Sequence, residues 1–144
     1  MNKLNKALSI LLIVVIVAIL GGIGYMLVMP KQGDKFTEFY ILGPGGKAAG
    51  YPKEGTVGKP VQLLMGIINH EHQTTDYHVE IKISGETVNQ LTINSIDEDQ
   101  KWEQVISFTP RVPGEKQKVE FYLYKNNEPQ PYFKDPLRLY IDIF

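Results

Sequence analysis

Two patterns of apolar positions divide this chain. From Ala7 to Met29 the sequence ALSILLIVVIVAILGGIGYMLVM carries no charge. Beyond Phe36, apolar residues instead recur at every second position, in short runs broken by Gly, Pro and Asn. The first pattern predicts a helix. At a rise of about 1.5 Å per residue it extends roughly 34 Å, against a bilayer hydrocarbon core of about 30 Å. A backbone inside lipid must satisfy its own hydrogen bonds, so a single span is helical. Pro30 predicts the stop, because it lacks a backbone donor and clashes with the preceding turn. Residues 31–35 then read as a short polar linker.

The second pattern predicts strands. Phe36 to Leu42 is aromatic and β-branched, and the Gly43-Pro44-Gly45-Gly46 run breaks it. Val61 to Ile68 is apolar nearly throughout, as expected of a strand covered on both faces. Asp76 to Ser84 alternates: Tyr77, Val79, Ile81 and Ile83 share one face, and His78, Glu80, Lys82 and Ser84 the other. Ser84-Gly85-Glu86 reads as a tight turn into Thr87–Ile93. Trp102 to Phe108 is strand-like and ends at Pro110. Val119, Phe121 and Leu123 alternate with Glu120, Tyr122 and Tyr124, and Leu137, Leu139, Ile141 and Ile143 with Arg138, Tyr140, Asp142 and Phe144. No amphipathic helix of useful length follows Met29. About seven short strands with Gly/Pro turns predict an all-β, immunoglobulin-like β-sandwich over residues 36–144. One N-terminal transmembrane helix, within residues 1–30, precedes it.

Composition sharpens this picture by exclusion. There is no cysteine, which removes disulfides, thiolate catalysis, Cys-ligated zinc and a lipobox anchor. Residues 36–144 carry 11 basic against 15 acidic side chains, with no Lys/Arg cluster, which argues against nucleic-acid binding. Lys3 and Lys6, with no acid among them, favour a cytoplasmic N-terminus and an extracytoplasmic domain. Two other readings compete for the N-terminus. Gly22-Ile23-Gly24 has the form of a signal-peptide cleavage site, but the apolar run continues past it, which favours an uncleaved anchor in the cytoplasmic membrane. Lys6-Ala7 ahead of the apolar run has the form of a pilin-type signal, whose helices bundle as a filament core. Ala18 and Gly22 have small-xxx-small spacing, which ordinary membrane helices share.

Several phrases resemble a family of archaeal membrane proteins of unknown function. They are Phe36 to Ala48 (FTEFYILGPGGKA), Gly50-Tyr51-Pro52, Gly66-Ile67-Ile68-Asn69-His70-Glu71, Phe121-Tyr122-Leu123-Tyr124-Lys125 and Leu137-Arg138-Leu139-Tyr140-Ile141. The resemblance spans residues 36–144. It implies an archaeal, membrane-bound setting and no known activity. Many members of that family place several membrane helices ahead of this domain, whereas this sequence has one.

Among candidate chemical groups, His70 and His72 stand out. In an extended segment both point to one side, where the imidazoles would grip one metal, with Asp76 and His78 as further ligands. The competing reading is a polar hairpin in which His70 fixes the loop through hydrogen bonds. Asp97-Glu98-Asp99 lacks the spacing of a calcium loop and reads as a solvated turn. Gly43 to Lys47 lacks the Walker spacing and the following helix, so it reads as a shaped loop. Ser84, Ser95 and Ser107 sit in no nucleophile elbow. The sequence thus predicts no catalytic residue and no cofactor. Tyr122, Tyr124 and Tyr140 fall opposite the aliphatic face and, with Trp102, are the candidate binding aromatics. The functional expectation is an interaction module at the cell surface. Its expected partners are the bilayer and another envelope protein or glycan. A pilin-like filament subunit and a small-ligand or metal-binding surface domain are the alternatives.

Overall fold

The computed structural model describes residues 2–28 and 33–144, in two units divided after Gly33. In the first unit, α1 (Lys3–Val28) is one 26-residue helix. Its aliphatic side chains are exposed on every side. A helix that is apolar all round suits lipid rather than water. By length and composition it can cross a membrane, a property that an anchor shares with a signal sequence. The predicted stop at Pro30 and the first part of the linker lie outside the described residues.

The second unit is a β-sandwich, and its strands follow the alternation closely. They are β1 (Phe36–Leu42), β2 (Glu54–Gly55), β3 (Val61–His70), β4 (Thr75–Ile83), β5 (Glu86–Ile96), β6 (Lys101–Phe108), β7 (Gly114–Lys125) and β8 (Leu137–Ile143). One sheet has the order β1-β3-β6 and the other β2-β8-β7-β4-β5. Pairing is antiparallel throughout except for β2 with β8, which is parallel. The first strand region therefore changes sheets: β1 lies along β3, and after the turns of residues 43–53 the chain joins β8 as β2.

The core sits between the sheets and is built from one parity of each strand. Leu63, Met65 and Ile67 of β3 face Tyr77, Val79 and Ile81 of β4 and Val119, Phe121 and Leu123 of β7, all essentially buried. Phe108 meets Phe121 edge-on, with centroids 6.3 Å apart. Fully burying each large apolar side chain stabilises the fold by about 1.5–3 kcal/mol.

One expectation is corrected. Val61–Ile68 is covered on one face only, with Leu64 and Ile68 half-buried on the outer side. The Tyr40 ring lies over Gly66 on that side, where a Cβ would run into it. Aromatic cover of a strand glycine compensates for its missing side chain. The Tyr40 hydroxyl donates to Glu103. Burial, followed by that carboxylate, pushes its pKa up to about 12.

Local backbone chemistry explains the remaining boundaries. Ser84 and Gly85 both have positive φ (49° and 87°), as a two-residue I′ hairpin requires. The β7 strand begins earlier than its alternation indicates, because the register shifts between Gly114 and Gln117 and Lys116 has φ 48°. A bulge of this kind breaks the period of two. Asn89 joins two open strand edges: its amide nitrogen donates to the Ser107 carbonyl of β6 at 2.7 Å. Its amide oxygen accepts the Gln90 N–H of β5 at 2.8 Å. Exposed edges invite strand addition from other chains, and such a bridge blunts them.

Candidate functional site

The end of the sandwich where β1 begins gathers most of the polar chemistry. Glu71 is its centre and is only 3% exposed. The Thr37 hydroxyl donates to Glu71 Oε1 at 3.0 Å. The Tyr77 hydroxyl lies 2.7 Å from that of Thr37 and feeds the same chain. Lys125 Nζ reaches Glu71 Oε2 at 3.3 Å, and the Tyr132 hydroxyl donates to Glu71 while accepting the Thr37 N–H at 3.0 Å. The Glu71 N–H donates to Asn69 Oδ1, and the Asn69 amide nitrogen donates to the Gln73 and Ile96 carbonyls. Burial alone would raise the Glu71 pKa. The donors from Tyr132, Thr37 and Lys125 outweigh it and hold the carboxyl below its usual range. No buried side-chain polar atom among the described residues lacks a partner.

On the rim of this network, the two candidate metal ligands take separate partners. His70 Nε2 lies 2.8 Å from Glu38 and its Nδ1 3.0 Å from Asp99, tying β1 to the β5–β6 turn. Hydrogen bonds to Glu38 and Asp99 raise its pKa. His72 Nδ1 lies 3.2 Å from Glu98. The extended geometry that a shared metal requires is absent, because β3 ends at His70 and His72 has φ 62°. Among the described residues, no group of three or more His, Asp or Glu side chains is placed to hold a metal ion. Asp97-Glu98-Asp99, expected as a solvated turn, is stitched to the β3–β4 loop: Asp97 accepts the Thr74 hydroxyl, and Glu98 and Asp99 take the two histidines. In the Gly43–Lys47 loop, the Gly43 and Gly46 N–H groups are bonded within the turn, not turned outward toward an anion.

The outer face of the five-stranded sheet holds the tyrosines. Tyr122 donates to Glu120 at 3.0 Å, and Lys82 Nζ stands 5.2 Å from its ring centroid. Glu120 also faces Lys118 and Arg138, each at 3.6 Å. Tyr122 is therefore one member of a closed lattice of charges. Tyr140, on β8, is 59% exposed. Trp102 belongs elsewhere: it lies on β6 opposite Ile67 and packs against the core. Tyr124 pairs across the strands with His78, the two ring centroids being 5.9 Å apart. Beside them opens a groove of about 490 Å³, lined by residues 76–78, Glu80, Thr92, Asn94, Tyr124 and residues 126–128.

Residues 30–141 match the model of a family described as "Domain of unknown function (DUF1616)". The chain belongs to this family. No curated protein matches it. Among solved structures, the CARDB domain of a Pyrococcus furiosus protein, determined in complex with di-metal ions, superposes with a TM-score of 0.53 at 14% identity. The match covers 77% of this chain and 96% of that one. A β-glucosidase from Listeria innocua superposes with a TM-score of 0.54 at 10% identity, over 76% of this chain and 16% of the enzyme. At such identities the likeness is one of fold, and it is the likeness of an immunoglobulin-like sandwich module.

For this DUF1616 domain, sequence reasoning missed two sets of residues. Glu71 and Thr37 were legible in principle: they continue the inward parity of Leu63 to Asn69 and of Phe39 to Ile41. A polar residue on that parity marks a buried hydrogen-bond network. The groove walls, Thr92, Asn94 and Asn127, carry no local signal.

Proposed function

We propose that this chain is a membrane-anchored, extracytoplasmic interaction module. One helix holds an immunoglobulin-like sandwich close to the cytoplasmic membrane, and the outer face of the larger sheet binds another component of the envelope. The observation that carries this reading is α1, which is apolar on every side with its side chains uncovered. Its linker to β1 is short. Outward orientation rests on the lysines at the N-terminus, and the archaeal setting on the resemblance of residues 36–52. This reading assigns the work to binding; the polar cluster around Glu71 is engaged internally, and the sandwich is immunoglobulin-like in fold.

Protease treatment of intact cells, followed by carbonate extraction, tests the proposal. The expected result is a chain that stays with the membrane while external protease removes the sandwich. Recovery in the soluble fraction, or protection of the sandwich until the cells are lysed, overturns it. N-terminal sequencing of the same material separates the filament alternative, which requires a chain beginning at Ala7 or Leu8.

A further inference from the structure

We propose that the groove beside Tyr124 is a subsite for a neutral carbohydrate. The proposal rests on the interaction-module reading and names the ligand class of its outer face.

The groove has a floor and two walls. Tyr124 and His78 form the floor, their rings inclined at 46°. Thr92 and Asn94 of β5 make one wall, and the 126–128 turn makes the other. Its volume of about 490 Å³ falls within the roughly 300–1,000 Å³ common for small-ligand sites. The second wall is fixed in place. The Asn126 N–H donates to the Asp76 carbonyl at 2.7 Å, and the Asp76 N–H donates to Asn126 Oδ1 at 3.2 Å. A pre-shaped wall lowers the ordering cost of binding.

The lining chemistry narrows the ligand. No Lys or Arg lines the groove, so phosphate, sulfate and carboxylate ligands meet no countercharge. No aliphatic side chain lines it either, so a lipid tail or an apolar side chain gains little there. Three acids line it, Asp76, Glu80 and Glu128, and the first two already accept hydrogen bonds from this chain. Asp76 Oδ1 accepts the Ser95 N–H at 2.7 Å. Glu80 Oε1 accepts the Thr87 hydroxyl at 2.5 Å and lies 3.9 Å from Lys82. Asp76 and Glu80 are thus each held by a donor of this chain, and tetralysine in the test below probes the remaining negative charge. The groove further presents an aromatic ring, the amides of Asn94 and Asn127, the Thr92 hydroxyl and the Glu128 carboxylate. Amides offer a donor and an acceptor side by side, which matches the vicinal hydroxyls of a sugar. The ring face matches the weakly polar C–H face of a pyranose.

The test uses the full chain, ¹⁵N-labelled, in lipid nanodiscs. Maltotriose, mannotriose and triacetylchitotriose are titrated separately, with tetralysine as a cationic comparison. At least one trisaccharide is expected to give saturable shifts at the amides of Asn94, Tyr124 and Asn127. Tyr124→Ala should weaken that binding about tenfold, as loss of a stacking surface does. Tyr124→Phe and Tyr140→Ala should leave it nearly unchanged, and dispersed spectra in every variant exclude unfolding as the cause. Absence of saturation by all three sugars, or equal affinity in Tyr124→Ala, overturns the proposal. Saturation of these amides by tetralysine alone also overturns it, while leaving the interaction-module reading intact; that reading stands or falls on the protease experiment.

Discussion

Glu71 and Tyr124 anchor two polar assemblies in one domain, and both draw on β4, β7 and the β7–β8 loop. Around Glu71, four side chains aim their hydrogen bonds at one another and at a single buried carboxylate. Around Tyr124, amides and a hydroxyl face open solvent from the walls of a groove. The first assembly is closed, and its removal should harm the fold. The second is open, and its removal should harm only binding. The contrast teaches that polar groups on an inward parity serve architecture, whereas outward groups facing a concavity are available to a ligand.

The sharpest way to break the contrast is Glu71→Ala. It strands donors from Thr37, Tyr132 and Lys125, and the expected loss is about 3 kcal/mol by chemical denaturation. A loss below about 0.5 kcal/mol, the usual range of surface changes, would put Glu71 among the dispensable groups. Gly66→Ala should cost about 2 kcal/mol, because the new methyl displaces the Tyr40 ring. Near-UV circular dichroism should report the ring's movement.

Acid should act through Glu71. Its carboxyl titrates below the usual range when folded, so its contribution is complete above about pH 4.3 and is lost as pH falls through the folded value. A midpoint-versus-pH curve should therefore fall steeply in acid, and less steeply in Glu71→Gln. His70 has the opposite sign. Its pKa is raised by Glu38 and Asp99, so its support is complete below about pH 6.5 and fades as pH rises through the folded value. The melting-temperature gap between the native chain and His70→Ala should narrow from pH 5.5 to pH 8.5; a constant gap would remove His70 from the pH response. The smallest effect belongs to Tyr124→Ala, which should change stability by no more than about 1 kcal/mol. A larger loss in thermal melts would assign Tyr124 to the architecture and erase the distinction.

Much of the sandwich was legible because a half-buried strand writes its parity into the sequence. Tyr77 to Ile83 and Leu137 to Ile143 are read off directly, and both lie in strands with those faces inward. The reading failed where tertiary partners decide. The outer face of β3 carries Leu64 and Ile68, yet what covers Gly66 between them is a ring from β1. The two-residue β2 pairs with Asp142 and Ile143, far along the chain, so nothing local announces it. His70 and His72 have the right spacing for a shared ligand, but the strand stops between them. The groove is assembled from β4, β5, β7 and a loop, and residues so scattered carry no common pattern.

The seven-residue register of β1 along β3 has a mechanical consequence. β1 is the first strand of the sandwich, so an axial load on its N-terminal end is carried by that register. Antiparallel hydrogen bonds run perpendicular to the strands, and an axial load stretches the whole row together rather than peeling it bond by bond. A sandwich whose first strand is fastened in this way yields to axial force only when the full row gives way at once.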